Sequence, residues 1–219
     1  MDRRRAELCA DPRLRAYVIG VAIGDGNLSN SNGRAVRLRI TCDTKYPALI
    51  VKIRSALELL LPQNRVSVVA SRGNYVNLSV YSNHLEGLLG WSASGGSKHH
   101  QCVRVPSWVC EDDLLSVQCL QDLIETDGSI YTDRGYRMVI FSTVIAELAQ
   151  QVDVMIRKLG FRPHLYKVRQ ERDKVAFKYQ VRLSRDVAAF LRLVQPLKGS
   201  RTRRRELITE LRRTAPKKD

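Results

Sequence analysis

Three absences in this 219-residue chain narrow its function before any motif is read. It has no long uncharged apolar run, so nothing in it reads as a membrane span and no membrane partner is expected. Its N-terminal MDRRRAELCADP is charged and carries no apolar core ahead of a small-residue cleavage site, so it does not read as a secretion signal. An intracellular protein, in cytoplasm or an organelle matrix and not secreted, is the expectation. Paired cysteines are missing as well. The five present (Cys9, Cys42, Cys102, Cys110, Cys119) are odd in number and scattered, which suits reduced thiols better than a disulfide framework. His99, His100, Cys102 and Cys110 lack the CxxC spacing that would make a zinc site persuasive.

Acidic residues are scarce. Against 37 lysines and arginines there are 22 aspartates and glutamates, a formal charge of +15. A basic excess of this size favours a polyanion through phosphate neutralisation and counterion release, and nucleic acid is the leading candidate. A membrane surface is the rival, but the basic residues are spread along strand-like segments rather than along one amphipathic helix.

What the chain does have is two similar apolar segments, VIGVAIGDG at 18–26 and LQDLIETDG at 120–128. Leu14, Tyr17, Val18, Val21 and Ala22 recur at helical spacing, as do Leu115, Cys119, Leu123 and Thr126. Each run stops at a glycine, a usual residue just past a helix end. One carboxylate, Asp25 or Asp127, therefore stands at the C-terminal tip of each helix, where the dipole already places about half a negative charge. Such a pair calls for a cation.

The flanks repeat in the same order. Residues 1–10 read as a basic arm, and Asp11 with Pro12 opens a helix reaching about Gly24. Gly20 and Gly24 share one face of it and leave room for another backbone. Hairpin chemistry at 27–33 leads into a strand with Val36, Leu38, Ile40 and Cys42 on one face and Arg34, Arg37, Arg39 and Thr41 near or on the other. Pro47 opens a helix striped by Leu49, Ile53, Ala56, Leu57 and Leu60. Strands at 65–71 and 74–81 then turn Val66, Val68, Val76, Leu78 and Val80 inward, leaving Arg65, Ser67, Tyr75, Asn77 and Ser79 opposite. A short helix at 83–90 closes this half.

Residues 91–111 show no periodicity and read as a connector, with the halves placed at 11–95 and 112–196 around a link at 96–111. The second half repeats the first: a helix ending at Asp127, strands at 129–132 and 136–142, a helix at 144–159, strands at 162–169 and 174–183, and a helix at 185–194. Lys178, Gln180 and Arg182 oppose Phe177, Tyr179, Val181 and Leu183. Arg134, Arg137, Lys167 and Arg169 complete the cations expected to face a ligand, although Val139 and Phe141 fit a polar face badly. A basic tail at 197–219 is expected to be helical, with its arginines on phosphate. Asp25 and Asp127 stand at the same separation as Ser82 and Ser184, so this is an internal duplication. The fold class it predicts is α+β: two pseudo-symmetric αββαββα repeats with antiparallel sheets, packed through the paired motif helices as a twofold dimer within one chain.

If those helices pack side by side, the two carboxylates meet and repel, and protonation or a divalent cation must relieve them. The hard oxygen donors suit Mg2+, which can polarise a phosphodiester and activate water. Two polar sheet faces about a dyad match duplex DNA.

With VIGVAIGDG, LQDLIETDG, the duplicated flanks and the connector GSKHHQCVRVPSW in view, the chain resembles the LAGLIDADG homing endonucleases over nearly its whole length. The resemblance implies a double-stranded DNA endonuclease with a long target and staggered products, in which Asp25 and Asp127, helped by the carbonyls of Gly24 and Thr126, hold Mg2+ or another divalent ion such as Mn2+. It also implies a monomer, encoded in a mobile intron, whose RNA is a second candidate partner. The ends MDRRRAEL and TAPKKD point away from an intein host.

Three places depart from the family pattern. Asp122 stands where a small residue is usual. Cys42 with Asp43, and Ser142 with Thr143, occupy positions where a Gln or Lys often approaches the reacting phosphates, so Lys98 in the connector becomes the candidate basic helper. The alternatives are an intron RNA maturase and a catalytically inactive DNA-binding regulator on the same fold.

Overall fold

The first helix, α1 (Pro12–Asp25), is buried on every side from Ala16 to Ile23. A helix with no polar face belongs in the middle of a molecule. Against it lies α5 (Asp113–Asp127), and this pair is the axis of the fold. The structure, a computed structural model, describes residues 8–31, 33, 35–71, 73–170 and 177–197. The N-terminal arm at 1–7, Arg34, residues 174–176 of the last expected strand and the basic tail from 198 lie outside the described residues.

Each axial helix is started by its own sequence. The Asp11 carboxylate accepts from Arg13 N at 2.9 Å ahead of Pro12, and Asp112 accepts from Leu114 N and Leu115 N at 2.8 and 3.0 Å. The glycines that follow the two aspartates are extended, with φ −81° at Gly26 and −92° at Gly128, not left-handed as a C-terminal glycine usually is. They are needed for space: a Cβ on Gly26 would lie 2.5 Å from Ala22 O, and one on Gly128 2.5 Å from Ile124 O. The chain can therefore leave each aspartate straight into a strand.

After α1 come β1 (Gly26–Ser31), β2 (Ala35–Asp43), α2 (Pro47–Leu60), β3 (Ser67–Ala70), β4 (Tyr75–Tyr81) and α3 (Leu85–Leu89). After α4 (Ser107–Glu111) and α5 come β5 (Gly128–Asp133), β6 (Tyr136–Thr143), α6 (Ala146–Lys158), β7 (His164–Arg169), β8 (Phe177–Leu183) and α7 (Val187–Val194). Both sheets are antiparallel and share one topology, β1-β2-β4-β3 and β5-β6-β8-β7. Gly26 pairs with Ile40 and Gly128 with Phe141, so the repeats match rung for rung. One face of each sheet covers the helices through Leu38, Ile40, Leu78 and Val80, or Val139, Phe141, Val181 and Leu183, all buried. The expected stripe of α2 is buried residue for residue. The duplicated α+β architecture is thus as anticipated.

The connector differs from expectation by containing α4 and by being tied down throughout. The Gln101 side chain accepts from Ser92 N at 2.8 Å and donates to Ser92 O and Gly96 O. Gln151 on α6 accepts from Val105 N and donates to Val105 O, each at 2.8 Å. A segment without periodicity is therefore fixed by side-chain amides, which place Lys98.

The axial helices approach where the glycines are. A Cβ on Gly20 would come 2.9 Å from Asp122 Cβ and 3.1 Å from Cys119 O, and one on Gly24 would overlap the Thr126 side chain. Gly24→Ala should therefore force the helix ends apart and cost about 1–3 kcal/mol. Thermal denaturation checks this: a fall of roughly 2–4 °C per kcal/mol is expected, and an unchanged Tm would mean that the contact is slack.

Candidate active site and nucleic-acid interface

Close approach of α1 and α5 brings both C-terminal tips, and with them Asp25 and Asp127, to one end of the axis. Both aspartates are exposed. The cation that such a pair requires is supplied by the connector. Lys98 Nζ donates to the last carbonyls of α1, at 3.3 Å to Ala22 O and 2.5 Å to Ile23 O and Gly24 O. Burial pushes the Lys98 pKa down, while the carboxylates of Asp127 and then Asp25 pull it back up. The ammonium therefore sits within the field of both acids, on a carbonyl expected to be a metal ligand.

The helper positions of the second strands are not basic. Cys42 is buried, and burial followed by the Asp25 charge pushes its thiol up to about 12, so it remains neutral. Ser142, Lys178 and His99 line a groove with Gly24, Lys98 and Asp127. Lys178, expected only on the sheet face, and His99, considered only for zinc, thus stand beside Asp127. Adjacency to Lys98 is the one sequence signal for His99, and only the folded connector turns it toward the groove. Among the described residues no three His, Cys, Asp or Glu side chains gather as a metal site. The oxygen donors expected from the sequence, the two aspartates and the carbonyls of Gly24 and Thr126, lie at the C-terminal ends of the two helices.

Asp122 is fully buried at the helix interface. Lys52 of α2 reaches in to 3.8 Å from Asp122 Oδ1 and 3.8 Å from Glu125 Oε2, with its Nζ 4.4 Å from the Tyr17 ring centroid. The same ammonium donates to Gln121 Oε1 at 3.0 Å, Gln121 donates to Gln195 O, and Glu125 Oε1 accepts from Leu197 N. The cluster ties α2 of the first half to α5 and to the end of α7 in the second. Sequence reading recognised the awkward acid but missed Lys52, which fell between the stripe positions of α2.

The open faces of the sheets carry most of the expected contacts. In the N-terminal sheet Arg37, Arg39, Thr41, Ser67, Tyr75, Asn77 and Ser79 share the side away from the helices, with Arg65 exposed just ahead of β3. Arg37 Nε donates to Ser29 Oγ, Thr41 Oγ1 donates to Asn77 Oδ1, and Arg39 Nε has no hydrogen-bond partner. In the C-terminal sheet Lys178, Gln180 and Arg182 take that side, and Arg134 sits exposed in the β5–β6 turn.

Three expected contacts are misplaced by register. Arg137 alternates with Val139 and Phe141, so it lies on the helix-covered side at the strand's exposed end. Lys167 and Arg169 pair with Tyr179 and Phe177, the strand's inward set. The residues of those strands on the open side are Met138, Ile140, His164, Tyr166 and Val168. The poor fit of Val139 and Phe141 to a polar face is thereby explained: they are core.

Residues 116–195 match the family model of the LAGLIDADG-like domain. No curated protein sequence matches the chain. Among solved structures it is similar to the homing endonuclease I-DmoI in complex with DNA and Mn, at TM-score 0.58 and 15% identity over 86% of this chain and 98% of that one. I-DmoI with DNA and Ca gives TM-score 0.55 and 16% identity over 87% and 91%. The N-terminal LAGLIDADG domain of WhiA gives 0.54 and 11% over 89% and 87%. The chain as a whole therefore has the LAGLIDADG fold. The family-model match itself is confined to the second repeat. No helix among the described residues is long and apolar enough to cross a membrane.

The buried cluster makes stability depend on pH. Burial raises the Asp122 pKa, Lys52 lowers it and Glu125 raises it again, leaving it well above the usual carboxylate value. Stability from a raised acid is fully present below its ordinary range and is lost as pH rises through the raised value. Lys52→Met removes the one cation and raises that acid further. Urea unfolding should show a loss of about 3–5 kcal/mol at pH 8 and a smaller loss at pH 5; equal losses at both would contradict the charge assignment.

Proposed function

We propose that this chain is a site-specific endonuclease that cuts both strands of a long DNA duplex by metal-dependent phosphodiester hydrolysis, acts as a monomer and is encoded within an intron. The observation that carries the reading is the meeting of two carboxylate-tipped helix ends between two open sheet faces that carry Arg37, Arg39, Lys178, Gln180 and Arg182. A duplex laid along both faces has its middle at that point, and hydrolysis of a phosphodiester needs concentrated positive charge there.

The donor set fits a hard divalent ion, since it consists only of carboxylate and carbonyl oxygens and already attracts an ammonium. Asp25, Asp127, Gly24 O and Thr126 O would hold Mg2+ or Mn2+. What such an ion supplies is Lewis acidity toward a phosphate oxygen and a more acidic bound water. That I-DmoI structures contain DNA with Mn or Ca supports the assignment. The protein's own part is positional and electrostatic. Arg37, Arg39, Gln180 and Arg182 bind the duplex, and Asp25 and Asp127 keep their carboxylates at the dyad. Lys98 holds its ammonium beside them, with its pKa lowered by burial and raised again by the two carboxylates.

Incubation of the protein and Mg2+ with DNA carrying its intronless insertion sequence tests the reading. Wild type should cleave both strands, and Asp25→Asn and Asp127→Asn should each slow cleavage by at least roughly a hundredfold. Undiminished cleavage by both variants would refute the catalytic assignment. Binding without cleavage by wild type would favour the regulator, and splicing assistance that outlasts loss of both aspartates would favour the maturase.

Lys98→Met leaves the last carbonyls of α1 without their donor. It should lower Tm in EDTA, with part of the loss restored by Mg2+; an unchanged Tm would show that Lys98 is not the resident cation.

A further inference from the structure

Superposed rung for rung, the two open faces are chemically unlike. The rung that holds Asn27, Arg39, Ser79 and Ser67 in the first sheet holds Ser129, Ile140, Arg182 and His164 in the second. The neighbouring rung pairs Ser29 with Arg37 in the first sheet and Tyr131 with Met138 in the second. On the other side, Thr41, Asn77 and Val69 are answered by Ser142, Gln180 and Tyr166. Where the first sheet carries two guanidinium groups on one central strand, the second carries Met138, which is buried, and Ile140, which is half-buried.

The cations also differ in how far they are engaged. Arg37 and Arg39 make no ion pair among the described residues, whereas the Nε atoms of Arg39 and Arg182 are alike in having no hydrogen-bond partner there. Arg182 lies 3.8 Å from Asp133 Oδ2 and donates to Met138 Sδ at 3.7 Å. Its guanidinium is drawn across the apolar rung toward the β5–β6 hairpin. A bulky apolar patch then continues through Tyr131, Tyr166 and Val168, all exposed.

In a major groove, guanine offers two acceptors to a guanidinium, and the one apolar group at the base edges is the thymine methyl. Resting on the reading of this chain as a duplex-DNA protein, we infer that its two halves discriminate bases by different chemistry. Residues 26–81 select guanine through Arg37 and Arg39, and residues 128–183 select thymine through contact of Ile140 and Tyr166 with its methyl group. The asymmetry fixes the direction in which the pseudo-symmetric protein lies on its site. It also divides discrimination between hydrogen bonding in one half and apolar contact in the other.

The test is selection of bound sequences from a randomised duplex library by the full chain in EDTA, followed by binding measurements on the selected site. Arg39→Ala should weaken preference for guanine about tenfold at positions confined to one half. Replacing thymine by deoxyuridine, which removes only the methyl, should weaken binding about fourfold per contacted base in the other half and hardly at all in the Arg39 half. Equal deoxyuridine effects in both halves, or loss of guanine preference in the same half as the methyl effect, would overturn the asymmetry while leaving a DNA-reading protein. Binding with no selected sequence, varying only with salt, would overturn both the asymmetry and the site-specific reading beneath it.

Discussion

Two negative helix ends held side by side are the constraint on which this molecule depends. Each of α1 and α5 ends in an aspartate at the negative end of its dipole, and glycines at 20 and 24 bring the helices close enough for these ends to share one field. Left alone the arrangement repels itself. The connector relieves it by driving Lys98 onto the last carbonyls of α1. The order of elements around the axis follows: each chain leaves its aspartate through an extended glycine into a strand, so each sheet starts at the charged end and spreads away from it.

A second charge problem sits deeper and is solved differently. Asp122 occupies the position opposite Gly20, where the small residue creates the space the carboxylate fills. The Lys52 ammonium, with Gln121 and Glu125, turns that acid into a link between the halves. Replacing such a cluster by apolar side chains is often neutral or stabilising, so it contributes less to net stability than to deciding which surfaces meet. The corresponding lysine position in α6 is taken by Gln151, which instead holds the connector at Val105. One structural place thus serves interface specificity in one half and loop anchoring in the other.

Much of this was legible from residues alone. Periodicity gave α1, α2 and α6, alternation gave β2 and β8, and the repeated Asp-Gly stops located the axis and both aspartates. Three things escaped. Arg137, Lys167 and Arg169 were placed with the open-face cations because a charged residue near a strand end can satisfy either face, and only the pairing with β5 and β8 decides between them. Lys52 escaped because it sits between stripe positions, where a lysine reads as solvated. The connector hid α4 and the hydrogen bonds of Gln101, because side-chain bonds to loop carbonyls leave no period in sequence. Lys98 is the intermediate case: its residue type and position were legible, its attachment to the carbonyls was not.

In the proposed mechanism Asp25 and Asp127 form one cation site, in which a divalent ion and the Lys98 ammonium compete for the same end of α1. Anomalous diffraction from crystals of the protein with duplex DNA and Mn2+ measures this directly. A manganese peak coordinated by both aspartates is expected, with Lys98 Nζ displaced from Gly24 O. Manganese bound away from the two carboxylates, or an unmoved Lys98 between them in saturating Mn2+, would contradict it.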